Sequence, residues 1–341
     1  MKNYILITGG AGFIGSNYAA RCLERGEKVV LFDDLSRAGS KLNLEWLESV
    51  FGNESFKLII GDVRDTELIT AAVNKASRVL HLAAQVAVTT SVLNPRTDFE
   101  INALGTFNTL EAARISGNQP AFVFASTNKV YGGMENMRVV ELETRYDYED
   151  LPNGASEEQL LDFHSPYGCS KGCGDQYVRD YYRIYDLPTV VLRQSCIYGT
   201  RQFGIEDQGW VAWFVIAAIT GKPISIYGNG KQVRDILSIS DLLDAYDHAF
   251  EELPKIGGQV FNIGGGRNNT ISIWLEFKPI LEKMLGRKID VTWADWRPGD
   301  QPVFISDIRK AESLLNWHPK INFEEGIAIL FDWVNQNRKL F

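Results

Sequence analysis

The chain has 341 residues, 45% apolar and 23% charged, with 30 glycines and a formal net charge of -8. That apolar content excludes disorder and suits one large or two modest cores, while the acidic balance opposes binding to a nucleic-acid backbone. No run is long enough for a membrane span: the best candidate, Trp210 to Ile219, has about half of the roughly 20 residues required and reads as a buried helix.

The chain opens on Met1-Lys2-Asn3 and passes directly into Tyr4-Ile5-Leu6-Ile7, too short for a signal-peptide core. A first strand is expected over Ile5 to Thr8. Helix Phe13 to Arg25, strand Lys28 to Phe32, helix Lys41 to Val50, strand Phe56 to Ile60, helix Thr66 to Lys75 and strand Arg78 to Leu82 follow. Then come helix Asn94 to Ser116, strand Ala121 to Ala125, an acidic irregular stretch from Gly132 to Ser165, helix Pro166 to Tyr185 and strand Thr189 to Arg193. Short apolar strands alternating with helices predict a parallel sheet covered on both faces, a doubly wound α/β domain. Beyond Arg193 the helices lengthen, with strands near Ile224 to Tyr227, Val260 to Ile263 and Ile289 to Trp293. No linker separates the parts, so residues 1–193 are expected to form a first domain to which later segments return, and 194–341 mainly a smaller mixed α/β domain packed on it. The 132–165 stretch reads equally as a surface excursion and as a wall of the site.

Four cysteines, Cys22, Cys169, Cys173 and Cys196, make no dense disulfide framework, which suits a reducing compartment, with cytoplasm the expected location. Cys169 and Cys173 would share a helix face, but with only His164 nearby packing is preferred to a metal, and none is expected.

Thr8-Gly9-Gly10-Ala11-Gly12-Phe13-Ile14-Gly15 follows the first strand and opens the first helix. Gly9 suits a tight turn, Gly12 allows close approach of a pyrophosphate, and Gly15 permits close helix packing, with the helix N-terminus facing the phosphates. A bare glycine triplet is weak, but the strand-turn-helix context is the confirmation it needs. Asp33, after the second strand, can accept both ribose hydroxyls and would repel a 2'-phosphate, so NAD is favoured; Arg37 argues the other way. Asp34 and Ser36 lie beside it. Asp62 and Val63 are placed at the adenine, although Asp62 also reads as a cap for the helix near Thr66. Leu82-Ala83-Ala84-Gln85 offers small residues along the cofactor, and Asn102 and Gln194 complete the dinucleotide set.

Tyr167 and Lys171, four apart in Ser165-Pro166-Tyr167-Gly168-Cys169-Ser170-Lys171, share a helix face, so the ammonium can lower the phenol's pKa. A hydroxyl from Ser126-Thr127-Asn128-Lys129 at the fifth strand's end can orient an oxygen that alternates between alcohol and ketone. Taken with the glycine turn, the chain resembles the extended short-chain dehydrogenase/reductase family over essentially its whole length. The resemblance implies a Rossmann-type fold and a triad in which Thr127 supplies the hydroxyl, Tyr167 the base and Lys171 its activator, with Ser126 as a control position.

Sugar-nucleotide 4,6-dehydratases of that family carry an Asp-Glu pair after the hydroxyl residue; Asn128 and Lys129 stand here instead, so dehydration lacks its usual proton shuttles. Three longer runs, Ser126 to Tyr131, Leu161 to Lys171 and Asp207-Gln208-Gly209-Trp210, are similar to nucleotide-sugar epimerases that invert carbon 2 of a CDP-linked sugar. The resemblance implies an isomerase acting through a transient ketone with hydride passing to NAD and back. Arg234, in Gly228-Asn229-Gly230-Lys231-Gln232-Val233-Arg234-Asp235, and Arg297, in Arg297-Pro298-Gly299-Asp300, match segments whose arginines bind the substrate diphosphate. Arg201 after Tyr198-Gly199-Thr200 is a third. The substrate set is completed by Thr127, Asn128, Lys129, His164, Ser195, Gln208, Gly209, Trp210, Val211, Tyr227, Gln232 and Asp300. Gln194-Ser195 departs from the Phe-Asn of many relatives, and His164 reads equally as packing or cap and as substrate contact. The triad alone would serve carbon 4 equally well, so a UDP- or GDP-sugar 4-epimerase stays open. A non-catalytic NAD-binding regulator is disfavoured by the intact tyrosine-lysine pair. A homo-oligomer is expected by analogy.

Overall fold

The computed structural model describes residues 3–297 and 300–341. Met1 and Lys2, and Pro298 and Gly299 between Arg297 and Asp300, lie outside the described residues. The chain divides into two compact units, Met1–Val130 with Ser165–Arg193 and Leu243–Phe261, and Tyr131–His164 with Gln194–Leu242 and Asn262–Phe341.

The first unit is built on a seven-stranded sheet. Its strands are β1 (Tyr4–Thr8), β2 (Val29–Asp33), β3 (Phe56–Ile60), β4 (Ala76–His81), β5 (Ala121–Thr127), β8 (Thr189–Gln194) and β12 (Val260–Ile263), in the order β12-β8-β5-β4-β1-β2-β3. The pairs β1–β2, β2–β3, β1–β4 and β4–β5 are parallel. All five residues of β1 and of β2 are buried, as strands covered on both faces must be. The cover comes from α1 (Phe13–Glu24), α2 (Ala38–Phe51), α3 (Thr66–Val73), α6 (Gly105–Ile115), α7 (Ser165–Tyr185) and most of α9 (Ile239–Ile256). Leu6, Val30, Phe32, Val79, Phe122 and Phe124 of the sheet pack with Ile69, Leu110 and Val178 of the helices, and each such burial contributes roughly 1.5–3 kcal/mol. The chain runs outward from β1 to β2 and β3, then back to β4 on the other side, a reversal of strand order that opens a ligand crevice at the carboxyl ends of β1 and β4.

The expected helix from Asn94 to Ser116 is not continuous. Asn94 Oδ1 caps α5 (Pro95–Phe99) by accepting from Thr97 N at 3.3 Å, a π-helical turn follows over Glu100–Leu104, and α6 resumes at Gly105. The wide turn accommodates one extra residue and turns both Asp98 and Asn102 towards Gln85 and Ser170. A short helix, α4 (Val88–Leu93), lies in the stretch from Gln85 to Asn94 where sequence assigned nothing, its Thr89-Thr90 pair giving a weak helical signal.

The second unit has its own core. β9 (Cys196–Tyr198), β11 (Val233–Ser238), β13 (Thr270–Ser272) and β15 (Val303–Phe304) form one sheet around β11, and β10 (Ser225–Tyr227) pairs with β14 (Thr292–Ala294). Helices α8 (Trp210–Thr220), α10 (Phe277–Leu285) and α12 (Phe323–Gln336) bury Val215, Ile216, Trp274, Phe277 and Leu330, and α11 (Arg309–Leu315) adds Leu315. No helix among the described residues is long and apolar enough to cross a membrane. The 132–165 stretch, irregular by sequence, contains the hairpin β6 (Val139–Glu141) and β7 (Tyr146–Tyr148), anchored by Tyr148 Oη donating to Val303 O at 2.9 Å and by Ala155 N donating to Ile305 O at 2.7 Å. At three residues each, with β6 exposed and β7 half-buried, they are too short for an alternation to mark them as strands.

Candidate active site

At the end of β1, Gly9 adopts φ +67°, and a Cβ there would meet Ala83 N at 2.9 Å, so the turn passes close over the start of the Leu82–Gln85 loop. At Gly15 a Cβ would strike Gly9 O, so this glycine lets α1 pack on the turn itself rather than on the sheet. Gly12 is the N-cap of α1 without any side-chain cap, and a Cβ there would meet only Gly9 O, at 3.1 Å. Helix amides at Phe13, Ile14 and Gly15 thus begin a helix whose positive end no side chain of α1 neutralises.

Asp33, 7% exposed, braces this turn: Oδ2 accepts from Ala11 N and Oδ1 from Leu35 N, each at 2.9 Å. Burial pushes its pKa up, against the pull of these amides. Each oxygen keeps a further lone pair for a hydroxyl donor. Asp34 accepts from Ser36 N, and exposed Arg37 is the N-cap of α2. Asp62 does not cap α3; Asp65 does, accepting from Leu68 N, while both Asp62 oxygens hold the Arg64 guanidinium. Val63 is 3% exposed and sits in the core, and its carbonyl accepts from Asn108 Nδ2 at 3.1 Å.

Under the Leu82–Gln85 loop lies a continuous hydrogen-bond chain. Thr106 Oγ1 donates to Asn102 O at 2.6 Å, so it can only accept from His81 Nε2, 3.1 Å away. His81 therefore carries its proton on Nε2 and accepts at Nδ1 from Thr8 Oγ1 at 2.8 Å, which in turn accepts from Leu82 N and Ala83 N. Full burial holds His81 neutral, its pKa driven down to about 3. Asn102, expected at the cofactor, spends its amide on the loop instead: Oδ1 accepts from Gln85 N and Nδ2 donates to Gln85 O.

Thr127 ends β5 and Tyr167 lies in the first turn of α7, whose entry is fixed by Tyr167 N donating to Ser91 Oγ and by Gly168 N donating to Ser165 Oγ. The Thr127 hydroxyl neighbours the Tyr167 phenol and favours its ionised form. Both are nearly buried, at 7% and 9% exposed. Sequence reasoning has the Lys171 ammonium lowering the phenol's pKa; in the structure burial dominates and pushes Tyr167 up to about 12, opposed by the Thr127 hydroxyl and reinforced by Asp98. Lys171 itself is lowered to about 7 by burial, against the attraction of Asp175 and Asp98. Ser126 points away from the pair, donating to Asp175 at 2.8 Å, a buried carboxylate that also holds Arg193 through Nε and Nη2 at 2.9 Å. Asn128 Oδ1 accepts from Thr127 Oγ1 at 3.3 Å, and Lys129 N donates to the same hydroxyl at 3.2 Å.

Sequence reasoning missed Asp98 and the Asp175–Arg193 pair. An acid in the first turn of a helix opened by Asn-Pro reads as ordinary dipole chemistry, and Asp175 and Arg193 are 18 residues apart.

In the second unit, Arg234 is 7% exposed and paired with Asp300, Nη2 to Oδ1 at 2.6 Å, leaving donors of its fork for another anion. Arg297 lies over the Tyr227 ring at 4.0 Å and pairs with Asp207 at 3.1 Å, while the Tyr227 hydroxyl meets Glu206. Gln232, wholly buried, donates to Tyr227 O at 2.7 Å and its Oε1 has no partner. Gln208 and Ile205 exchange backbone hydrogen bonds, and Gly209, at φ +75°, starts α8. Trp210 packs edge-on against Phe277 at 5.4 Å, Val211 is 2% exposed in the core, and Arg201 lies over the Trp333 ring. The Ser195 hydroxyl donates to Asp235, and Gln194, at the end of β8, is 8% exposed. His164 is exposed and neither packs nor caps; it pairs with Asp162 at 3.2 Å, and Ser165 is the residue that caps α7.

The first unit's residues fit a dinucleotide: an uncapped helix end for the pyrophosphate, a turn that only glycine allows, and a ribose-accepting carboxylate at Asp33. A family model described as GDP-mannose 4,6 dehydratase matches residues 6–330. The chain is 46% identical to a CDP-paratose 2-epimerase of Salmonella typhi, over 97% of this chain and 99% of the relative. A UDP-glucose 4-epimerase from Thermotoga maritima, solved with UDP-glucose, has a TM-score of 0.84 at 30% identity, covering 98% of this chain and 99% of that one. A dTDP-glucose 4,6-dehydratase from Streptomyces venezuelae, solved with NAD bound, scores 0.83 at 26% identity, covering 99% of this chain and 98% of that one.

Proposed function

The chain belongs to the extended short-chain dehydrogenase/reductase family, and from that we propose an NAD-dependent epimerase that inverts carbon 2 of a CDP-linked deoxyhexose, taking CDP-paratose to CDP-tyvelose as in O-antigen sugar biosynthesis. The observation that carries the chemistry is the buried pair of hydroxyls, Thr127 at the end of β5 and Tyr167 in the first turn of α7, with Asn128 and Lys129, rather than an acid-base pair, after Thr127. Such a site moves one proton at one oxygen and has nothing placed to expel a hydroxyl. The choice of CDP-paratose is supported by identity along almost the whole chain with a relative of that activity.

Bound NAD supplies the hydride acceptor and donor and, when oxidised, a positive charge that favours the phenolate. Thr127 donates to the reacting oxygen and orients it against Tyr167. Tyr167, as phenolate, takes the hydroxyl proton as the carbinol becomes a carbonyl, and returns it when the carbonyl is reduced on its opposite face. The Gly9–Gly15 turn, Asp33 and the Leu82–Gln85 loop hold the dinucleotide. Arg234 and Arg297 are proposed to bind the substrate diphosphate, with Tyr227 and Gln232 beside them. The cytoplasm is the proposed location. A homo-oligomer is part of the same reading, supported by Phe99, Phe107, Tyr177 and Ile184, which leave apolar surface exposed on helices of the first unit.

A UDP-sugar 4-epimerase is the second reading, favoured by the likeness to the Thermotoga maritima enzyme. Incubation with CDP-paratose, UDP-glucose and GDP-mannose, followed by product analysis, separates the two. Tyvelose formed only from the CDP-sugar is the expected result, and inversion of UDP-glucose alone would overturn it. In deuterated water the inverted carbon should carry no solvent label; label there would replace hydride transfer by deprotonation.

A further inference from the structure

Asp98 is completely buried, yet among the described residues it makes no ion pair within 4 Å. Its carboxylate is held by neutral donors. Oδ2 accepts from Ser170 Oγ at 2.5 Å, and Oδ1 from Asn102 Nδ2 at 3.1 Å and Gln85 Nε2 at 3.2 Å. Those donors come from the catalytic helix, the π-helical turn and the loop after β4, so one carboxylate ties together the segments that bear Lys171 and the proposed cofactor wall.

A buried anion demands compensating charge. The charged and titratable groups around Lys171 are Asp98 from α5, Asp175 and Tyr167 from its own helix, and His81 from β4. His81 is neutral, and Tyr167 is a phenol at neutral pH. Asp175 attracts Lys171 as well, the more strongly of the two, but its charge is shared with the paired guanidinium of Arg193. The only carboxylate of the cluster without a cation of its own is Asp98, and the only cation without a carboxylate of its own is Lys171, whose ammonium otherwise rests on the Phe124 ring at 4.3 Å. We propose that Asp98 is a positioning residue of the reaction: a second counter-charge, beside Asp175, that helps to keep Lys171 protonated, aimed by Ser170, Asn102 and Gln85.

This rests on the reading of Tyr167 as base and Lys171 as its cationic partner. Removing one anion lowers the pKa of every group that feels it, so Asp98→Asn moves both limbs of the pH-rate profile to lower pH. The expected displacement is about one pH unit, the scale of a single neighbouring charge. Ser170→Ala removes one donor and leaves the charge, so it reduces kcat but leaves the limbs in place.

The test is the pH dependence of epimerisation for wild type, Asp98→Asn, Ser170→Ala and Tyr167→Phe, with thermal unfolding of each to confirm that it is folded. An acidward profile in Asp98→Asn alone supports the proposal. Limbs that stay put in a folded Asp98→Asn enzyme, or that move equally in Ser170→Ala, overturn it. Should Asp98→Asn fail to fold, Asp98→Glu takes its place: a retained charge must then keep the limbs within a few tenths of a unit of wild type, and a larger displacement overturns the proposal. Full activity in Tyr167→Phe would instead sink the underlying reading.

Discussion

Lys171 Nζ stands 4.3 Å from the centre of the Phe124 ring, inside the apolar body of the first unit, and the side chain is 4% exposed in all. The contact stabilises a cation in part, but burial still brings the ammonium down from the ordinary lysine value of 10.5 to about 7. Between those two values the unfolded chain binds a proton that the folded chain does not, so the folded protein gains stability as pH rises through that window and loses it as pH falls. Lys171→Met removes the linkage. Because the substitution also strands the buried Asp98 carboxylate, the readout is the change with pH: between pH 7 and pH 9.5 wild type should gain stability relative to Lys171→Met, by an amount on the order of a few kcal/mol. Thermal unfolding at the two pH values checks this; parallel curves for the two proteins would contradict it.

In the proposed mechanism Thr127 and Tyr167 divide the chemistry at one oxygen. Tyr167→Phe keeps the ring in its buried socket and removes the group proposed to exchange the proton, so turnover should fall by about 10³-fold or more. Thr127→Val should cost about 10²-fold, because the phenol survives without the hydroxyl that orients the substrate. Single-turnover reduction of the bound cofactor by substrate, read at 340 nm, measures both. A Thr127→Val enzyme slower than Tyr167→Phe would reverse the assigned roles.

The glycine turn, Asp33 and the Tyr167–Lys171 pair were legible in sequence because their geometry is local: a strand-turn-helix junction and a four-residue helical spacing. Alternation of short apolar runs with helices marked the first five strands and a parallel sheet, but not the order of the strands within it. What sequence could not carry was contact across long separations. Nothing near Asp175 announces Arg193, nothing near Asp98 announces Ser170, 72 residues away, and nothing in Asn102 shows that its amide serves the Gln85 backbone. The direction of the Tyr167 shift was missed for a related reason. Spacing reveals a neighbouring charge, whereas desolvation depends on everything packed around the ring.

Asp33 offers a test of the proposed dinucleotide site. Its two oxygens accept from Ala11 N and Leu35 N, and the proposed role adds the ribose hydroxyls. Asp33→Ala frees two amides, loosens the turn at Gly9 and removes the charge that opposes a 2'-phosphate. Hydrogen bonds to a charged group are worth about 1.5–3 kcal/mol, so NAD should bind about 10- to 100-fold more weakly, with NADP affected less. Calorimetric titration of both dinucleotides reads the difference, and equal losses for the two would remove Asp33 from the ribose.

Arg193 and Asp175 form an ion pair at 1% and 0% side-chain exposure. Arg193→Met strands the carboxylate with Ser126 and Gln176 as its remaining donors and should destabilise the protein by about 3–5 kcal/mol. Adding Asp175→Leu removes the stranded charge, and the double variant should regain much of the loss. Urea unfolding of the two single variants and the double variant closes the cycle; additive losses would mean the pair carries no coupling.

Arg234 separates a structural from a ligand-binding role in the second unit. One face of its guanidinium is committed, with Nη1 donating to Val233 O and Nη2 to Asp300, and the remaining donors are available to a diphosphate. Arg234→Lys keeps the charge and discards the planar fork. If the fork grips phosphate, KM for the nucleotide sugar and the inhibition constant of free CDP should both rise by about 10-fold or more, with kcat little changed. Asp300→Asn weakens the restraint on the fork without touching its donors, so it should raise KM less than Arg234→Lys does. A fall in kcat and melting temperature at unchanged KM would instead make Arg234 a brace for β11.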